Sequence, residues 1–197
     1  MPSKTKVILS PKELELVKDK EWILTKRSII ERSYDLFAEA VADIGLFNEE
    51  VLQGNIRTAP PKISKGENYR GFPYVMMDYP RCFEKENIFA VRTMFWWANF
   101  FSITIHLAGT YKDHFAGKLL KNVTLLEDLF ICVNDDPWQH YFEPDNYVHG
   151  SQLGRDQIQQ MITGPFIKFA LKYELEQWNE MQELLKEGYR KMGLVLR

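Results

Sequence analysis

Residues 88–107 read IFAVRTMFWWANFFSITIHL. The stretch is long and apolar enough either to cross a bilayer or to supply two inner strands of a sheet. Its second half decides between them. Phe101, Ile103, Ile105 and Leu107 alternate with Ser102, Thr104 and His106, the period of two that a half-buried strand shows and a lipid-facing helix does not. A spanning helix would also have to carry Arg92, Asn99 and His106 through hydrocarbon, each at a cost. We therefore read a β-hairpin, strands 88–97 and 100–107, with Ala98 and Asn99 at its tip. No membrane partner is expected.

Working outward, residues 69–79 hold Phe72, Tyr74, Val75 and two methionines and read as a further strand. Pro73 within it suggests an edge or a bulge. Residues 129–133 supply a fourth strand, and 113–122 a short helix. Upstream, Ser10, Pro11 and Glu13 form a helix start with the capping-box pattern. Helical character then runs to about Ile44, with Ile30, Tyr34, Phe37, Val41 and Ile44 on one face. The apolar stripe slips near residues 19–21, where a break is expected, and Gly45 is a stop signal. Residues 54–66, with Pro60 and Pro61, read as a linker. Downstream, 155–163 is a helix, Gly164 and Pro165 interrupt it, and 166 to about 192 is read as a second helix. That last reading rests on Leu171, Leu175, Trp178, Leu185 and Tyr189. The expected fold is a single α+β domain over residues 1–197, with about four antiparallel strands packed against N- and C-terminal helices.

Composition narrows the function classes. A chain of 197 residues buries about 70% of its unfolded surface and does not depend on a disulfide or a metal to fold. With 25 Lys and Arg against 27 Asp and Glu, and no run of one sign, it lacks the basic face that a nucleic-acid binder requires. Two cysteines, Cys82 and Cys132, are too few and too widely spaced for a disulfide framework or a zinc site. No secretory signal precedes residue 15, so a cytoplasmic location is expected. Phosphate-loop, dinucleotide-binding, H-E-x-x-H and calcium-loop motifs are all absent from the sequence. No cofactor or metal is therefore assigned, and the motifs identify no catalytic residues.

Candidate site residues lie in two places. The segment 134–150, NDDPWQHYFEPDNYVHG, concentrates His140 and His149 with Asp135, Asp136, Glu143 and Asp145, alongside Trp138, Tyr141, Phe142 and Tyr147. Its histidine spacing fits no zinc pattern, and a loop of this length is functional or disordered more often than a short one. On the hairpin, His106 ends the polar side of its strand, and Arg92 stands among apolar neighbours, where it needs a carboxylate or an anion. Trp96 and Trp97 point to opposite faces, so either both faces of the sheet are covered or one ring is exposed. The favoured function is a non-catalytic binding or interaction protein with an aromatic cleft or interface on its sheet. Arg92, Trp96, Trp97, His106, Trp138, His140, Tyr147 and His149 are its candidate ligand-binding residues, and a small molecule or a second copy the partner. The alternative is a small hydrolase or isomerase, metal-assisted or not, using His106, His140 or His149 with Asp135 or Asp136.

Overall fold

The computed structural model describes residues 7–52 and 58–197, without the side chains of 46–50. The expected linker therefore falls partly outside the described residues, as does the start of the N-terminal segment read for a signal. The chain is α+β, with an antiparallel sheet of seven strands rather than about four. They are β1 (Lys62–Tyr69), β2 (Phe72–Phe83), β3 (Ile88–Trp96), β4 (Phe100–Ala108), β5 (Phe130–Cys132), β6 (Tyr147–His149) and β7 (Phe166–Glu174), in the order β1-β2-β3-β4-β7-β5-β6. Among the described residues no helix is long and apolar enough to cross a membrane.

The hairpin forms as its alternation requires. Strands β3 and β4 pair from Ile88 with Ala108 to Trp96 with Phe100, and Ala98 at the turn takes a left-handed φ of 59°. The undercount of strands has three sources. The second half of the expected linker is β1, whose mixed polar sequence suits an edge exposed to water. Its pairing places β2 inside the sheet, so Pro73 marks not an edge but the bulge of the two alternatives: it lies at the strand's beginning, opposite the register shift between Gly66 and Tyr69. Strand β6 is only three residues long.

The third source is the largest correction. Residues 166–174, read as the start of the C-terminal helix, form β7 in the interior of the sheet, bonded along its whole length to β4. The helical stripe misled because Leu175, Trp178, Leu185 and Tyr189 do lie on one side of the molecule, in a 3₁₀ turn (Leu175–Glu180) and a final helix. Leu171, the first residue of that stripe, reaches the same side from a strand.

The helices are α1 (Pro11–Lys18), α2 (Lys20–Leu52), α3 (Gly109–Lys121), α4 (Val123–Leu126), α5 (Arg155–Thr163) and α6 (Met181–Val195). The capping box at Ser10 and Glu13 is formed, and the expected break falls at Asp19, whose carboxylate accepts from Trp22 N. Gly45 does not stop α2, which continues to Leu52. Phe37 and Ile44 of α2, Phe115 and Leu119 of α3, Ile158 and Ile162 of α5 and Leu185 and Tyr189 of α6 close over Phe89, Phe95, Phe101, Ile103, Ile105, Ile167 and Phe169. That layer is the main core.

The opposite face of the sheet is covered too. Residues 133–146, between β5 and β6, fold back across it as a strap. Tyr141 joins Met76, Met94, Trp96 and Phe100. Phe142 stacks on Tyr147 at 4.4 Å. Both tryptophans of the hairpin are therefore accounted for: Trp96 lies under the strap, while Trp97 packs beside Phe95 at the edge of the main core.

Candidate functional site

Register explains which side chains meet under the strap. In antiparallel strands, residues directly opposite one another share a face. Asp78 of β2 stands opposite Arg92 of β3, and Arg92 opposite Thr104 of β4. One pleat further on, Ala90 stands opposite His106, and His106 opposite Lys168 of β7. Two rows of chemistry-bearing side chains thus lie side by side on the face away from the helices.

The rows are joined by short contacts. Arg92 grips Asp78 with two parallel bonds, Nε to Oδ1 at 2.7 Å and Nη2 to Oδ2 at 2.9 Å. Its Nη1 lies 2.8 Å from His140 Nε2 on the strap. Because an arginine only donates, His140 Nε2 is the acceptor and the ring is neutral, with its proton on Nδ1. Burial pushes His140 well below the ordinary histidine value, and Lys168, Arg92 and His106 push in the same direction. His140 N also donates to Tyr69 Oη at 2.7 Å. The Lys168 ammonium, 1% exposed, donates to the carbonyls of Pro137 (2.9 Å) and Gln139 and lies 5.1 Å from the Tyr147 ring centroid. Sheet cations thereby hold the strap through its carbonyls and a neutral imidazole.

Between strap and sheet is a small cavity of about 10 Å³, lined by Phe83, Ala90, Arg92, Thr104, His106, Pro137, Trp138, His140 and Lys168. His106 is 5% exposed, and its Nε2 has no hydrogen-bond partner among the described residues. A buried polar atom without a partner is unusual and costs about 1–3 kcal/mol unless something satisfies it. Burial lowers the His106 pKa to about 4, with Lys168 and Arg92 contributing, and burial brings Lys168 down to about 8. Near neutrality the site therefore holds two neutral imidazoles, a charged guanidinium paired with Asp78, and a mostly protonated amine with no carboxylate bonded to it. At the rim, Phe83 and Trp138 lie 6.2 Å apart, 43% and 46% exposed.

Of the eight candidate residues, Arg92, His106, Trp138 and His140 share this cavity. Tyr147 lies behind Lys168, its buried hydroxyl likewise without a partner. Trp96 belongs to the neighbouring aromatic cluster, Trp97 to the other face, and His149 bonds Ser151 Oγ at 2.8 Å away from the cavity. The strap carboxylates serve the strap. Asp136 accepts from Trp138 N and the Gln139 amide, Asp145 from Tyr141 Oη, and Glu143 faces Arg70 at 3.5 Å. Among the described residues no three His, Cys, Asp or Glu side chains converge as a metal site requires.

Lys168 escaped the sequence reading because its segment was taken as a helix. The signal was present: Ile167, Phe169, Leu171 and Tyr173 alternate with Lys168, Ala170 and Lys172, the same period of two that identified β4.

No protein-family model matches the chain, and no curated protein matches it. Among solved structures it is similar to a conserved hypothetical protein from Pyrococcus furiosus. The two are 13% identical, the match covers 84% of this chain and 99% of that one, and the TM-score is 0.28. A likeness of that degree contributes nothing to the functional argument.

Proposed function

We propose that this is a non-catalytic binding protein that holds a small molecule between the polar face of its sheet and the 133–146 strap. The reading rests on one observation above all: a buried imidazole nitrogen, His106 Nε2, without a partner among the described residues, in a cavity that Arg92 and Lys168 also line. The two exposed rings at the rim give the ligand an apolar landing. The hydrolase or isomerase alternative has less in its favour, since neither Asp135 nor Asp136 lines the cavity and Asp136 accepts from Trp138 N and the Gln139 amide within the strap.

The indole N–H signals of Trp138 and Trp22 test this reading by nuclear magnetic resonance. Both rings are over 40% exposed, but only Trp138 borders the cavity. Cocktails of small aromatic acids, amides and alcohols should include members that shift Trp138 while leaving Trp22 unmoved. If no compound shifts Trp138, or if the two indoles respond alike, the cavity is not a binding site.

A second copy as partner has its own support. Val7, Ile8, Leu9, Leu14, Leu16, Val17, Trp22, Ile23 and Leu24 are all exposed on and around α1 and the start of α2. Concentration-dependent mass by light scattering, abolished by a Leu16→Glu/Val17→Glu pair, is the expected outcome for self-association. A constant monomer mass would remove this reading and leave the cavity untouched.

A further inference from the structure

We infer that the ligand of this cavity is an organic carboxylate with an apolar, ring-sized tail: its head meets Lys168, His106 and Arg92, and its tail lies against Phe83 and Trp138 at the rim. The inference rests on the binding reading above and adds the chemical class of what is bound. Its first support is a count of donors and acceptors. Arg92 uses three of its five donors on Asp78 and His140, and Lys168 uses two of its three on strap carbonyls. Of the acceptors, the Pro137 and Gln139 carbonyls take Lys168 and His140 Nε2 takes Arg92, while the Thr104 hydroxyl, which also lines the cavity, can donate or accept. The charged groups around the cavity keep spare donors only, and His106 Nε2 joins them when its neutral ring carries the proton there. A group that only accepts, an anion above all, fits such a lining.

Charge points the same way. Asp78 answers Arg92, whereas Lys168 has carbonyls and a ring around it and, among the described residues, no carboxylate within ion-pair distance, Asp136 acting on it only from further away. A buried ammonium in that setting is stabilised by an incoming anion. Size then selects the head group. The space, about 10 Å³, is about that of one water, so any head group requires the rim at Pro137 and Trp138 to move, and a flat three-atom carboxylate requires less movement than a tetrahedral phosphate. The tail is assigned from the rim itself, because Phe83 and Trp138 are the two exposed rings of the lining.

The experiment uses benzoate, benzamide and acetate as probes on the intact protein, reading the Trp138 and Trp22 indoles. Benzoate should bind at least ten-fold tighter than benzamide, which lacks the charge, and than acetate, which lacks the ring. Lys168→Met should erase the preference for benzoate over benzamide. Should that variant fail to fold, the wild type suffices: saturating benzoate should raise the titration midpoint of the His106 ring, and benzamide should not. If benzamide shifts Trp138 and binds as tightly as benzoate, the carboxylate inference is overturned while the binding reading stands. Acetate equal to benzoate would overturn the tail assignment. If none of the three probes shifts Trp138 and only amides or alcohols in the cocktails do, the inference alone fails; if nothing does, both fail.

Discussion

Strands β3, β4 and β7 carry two faces built by one alternation, and the two have little else in common. Toward the helices they present Phe89, Val91, Phe95, Ile103, Ile105, Ile167 and Phe169, all buried and apolar. Toward the strap the same strands present Arg92, Ser102, Thr104, His106 and Lys168, among them a charged pair, a buried amine and an orphaned imidazole nitrogen. The first face is what apolar burial requires. The second carries polar groups whose desolvation works against folding unless each is paired. Departures of this kind from consistent packing concentrate where a protein meets something else: on the helix face the buried Thr93 is paired with Tyr189 Oη at 2.7 Å, whereas on the strap face His106 Nε2 has no partner among the described residues.

Breaking the helix face should cost the most. Phe169→Ala removes a fully buried ring from its centre and should lower the unfolding free energy by about 3–5 kcal/mol, measured by urea denaturation. Binding by whatever fraction remains folded should be intact. A loss of binding without a loss of stability would mean that the faces are not separate.

Acid should act through the strap face. His106 has its pKa lowered to about 4 by burial, with Lys168 and Arg92 adding to it, against about 6.5 in the unfolded chain. The unfolded state therefore binds more protons between these values. The stability that His106 contributes as a neutral ring is present above pH 6.5 and is lost as pH falls toward 4. That loss is about 3 kcal/mol for His106 alone, and His140 shifts in the same direction. Urea midpoints across this range should fall steeply, and His106→Leu should flatten the slope by about one proton's worth.

The ion pair comes next. Arg92→Met leaves Asp78 and His140 Nε2 without their partner, at a cost of about 2–3 kcal/mol, below the range for a fully buried pair because both side chains keep some exposure. Adding Asp78→Leu should recover part of that loss, and a double-mutant cycle checks it. At the small end, Trp138→Ala should change stability by no more than about 0.5 kcal/mol while weakening capture of ring-bearing ligands. Trp22→Ala, equally exposed and far from the cavity in sequence, should change neither.

How much of this was legible in the sequence follows the same division. The period-two pattern of 100–107 identified the hairpin and the polar face of β4, and so His106 and the partner-seeking Arg92. The length and composition of 134–150 singled out the segment that became the strap. Neither showed that the strap lies on that polar face, since this depends on β5 pairing with β7, a segment whose stripe reads as a helix, and on β6 pairing in turn with β5. Residues 166–174 satisfied two periodicities at once: the alternation was genuine, and the helical stripe was a coincidence of helix-side residues drawn from three elements. Lys168 was lost with that strand, and with it the group that links the sheet to the strap.

The central claim is that the strap face, and not the helix face, receives a ligand. A crystal structure of the protein grown in benzoate tests it most directly. It should show a carboxylate within hydrogen-bond distance of Lys168 Nζ and His106 Nε2, with its ring against Phe83 and Trp138. Benzoate bound elsewhere on the molecule, with His106 Nε2 still facing only protein, would contradict it.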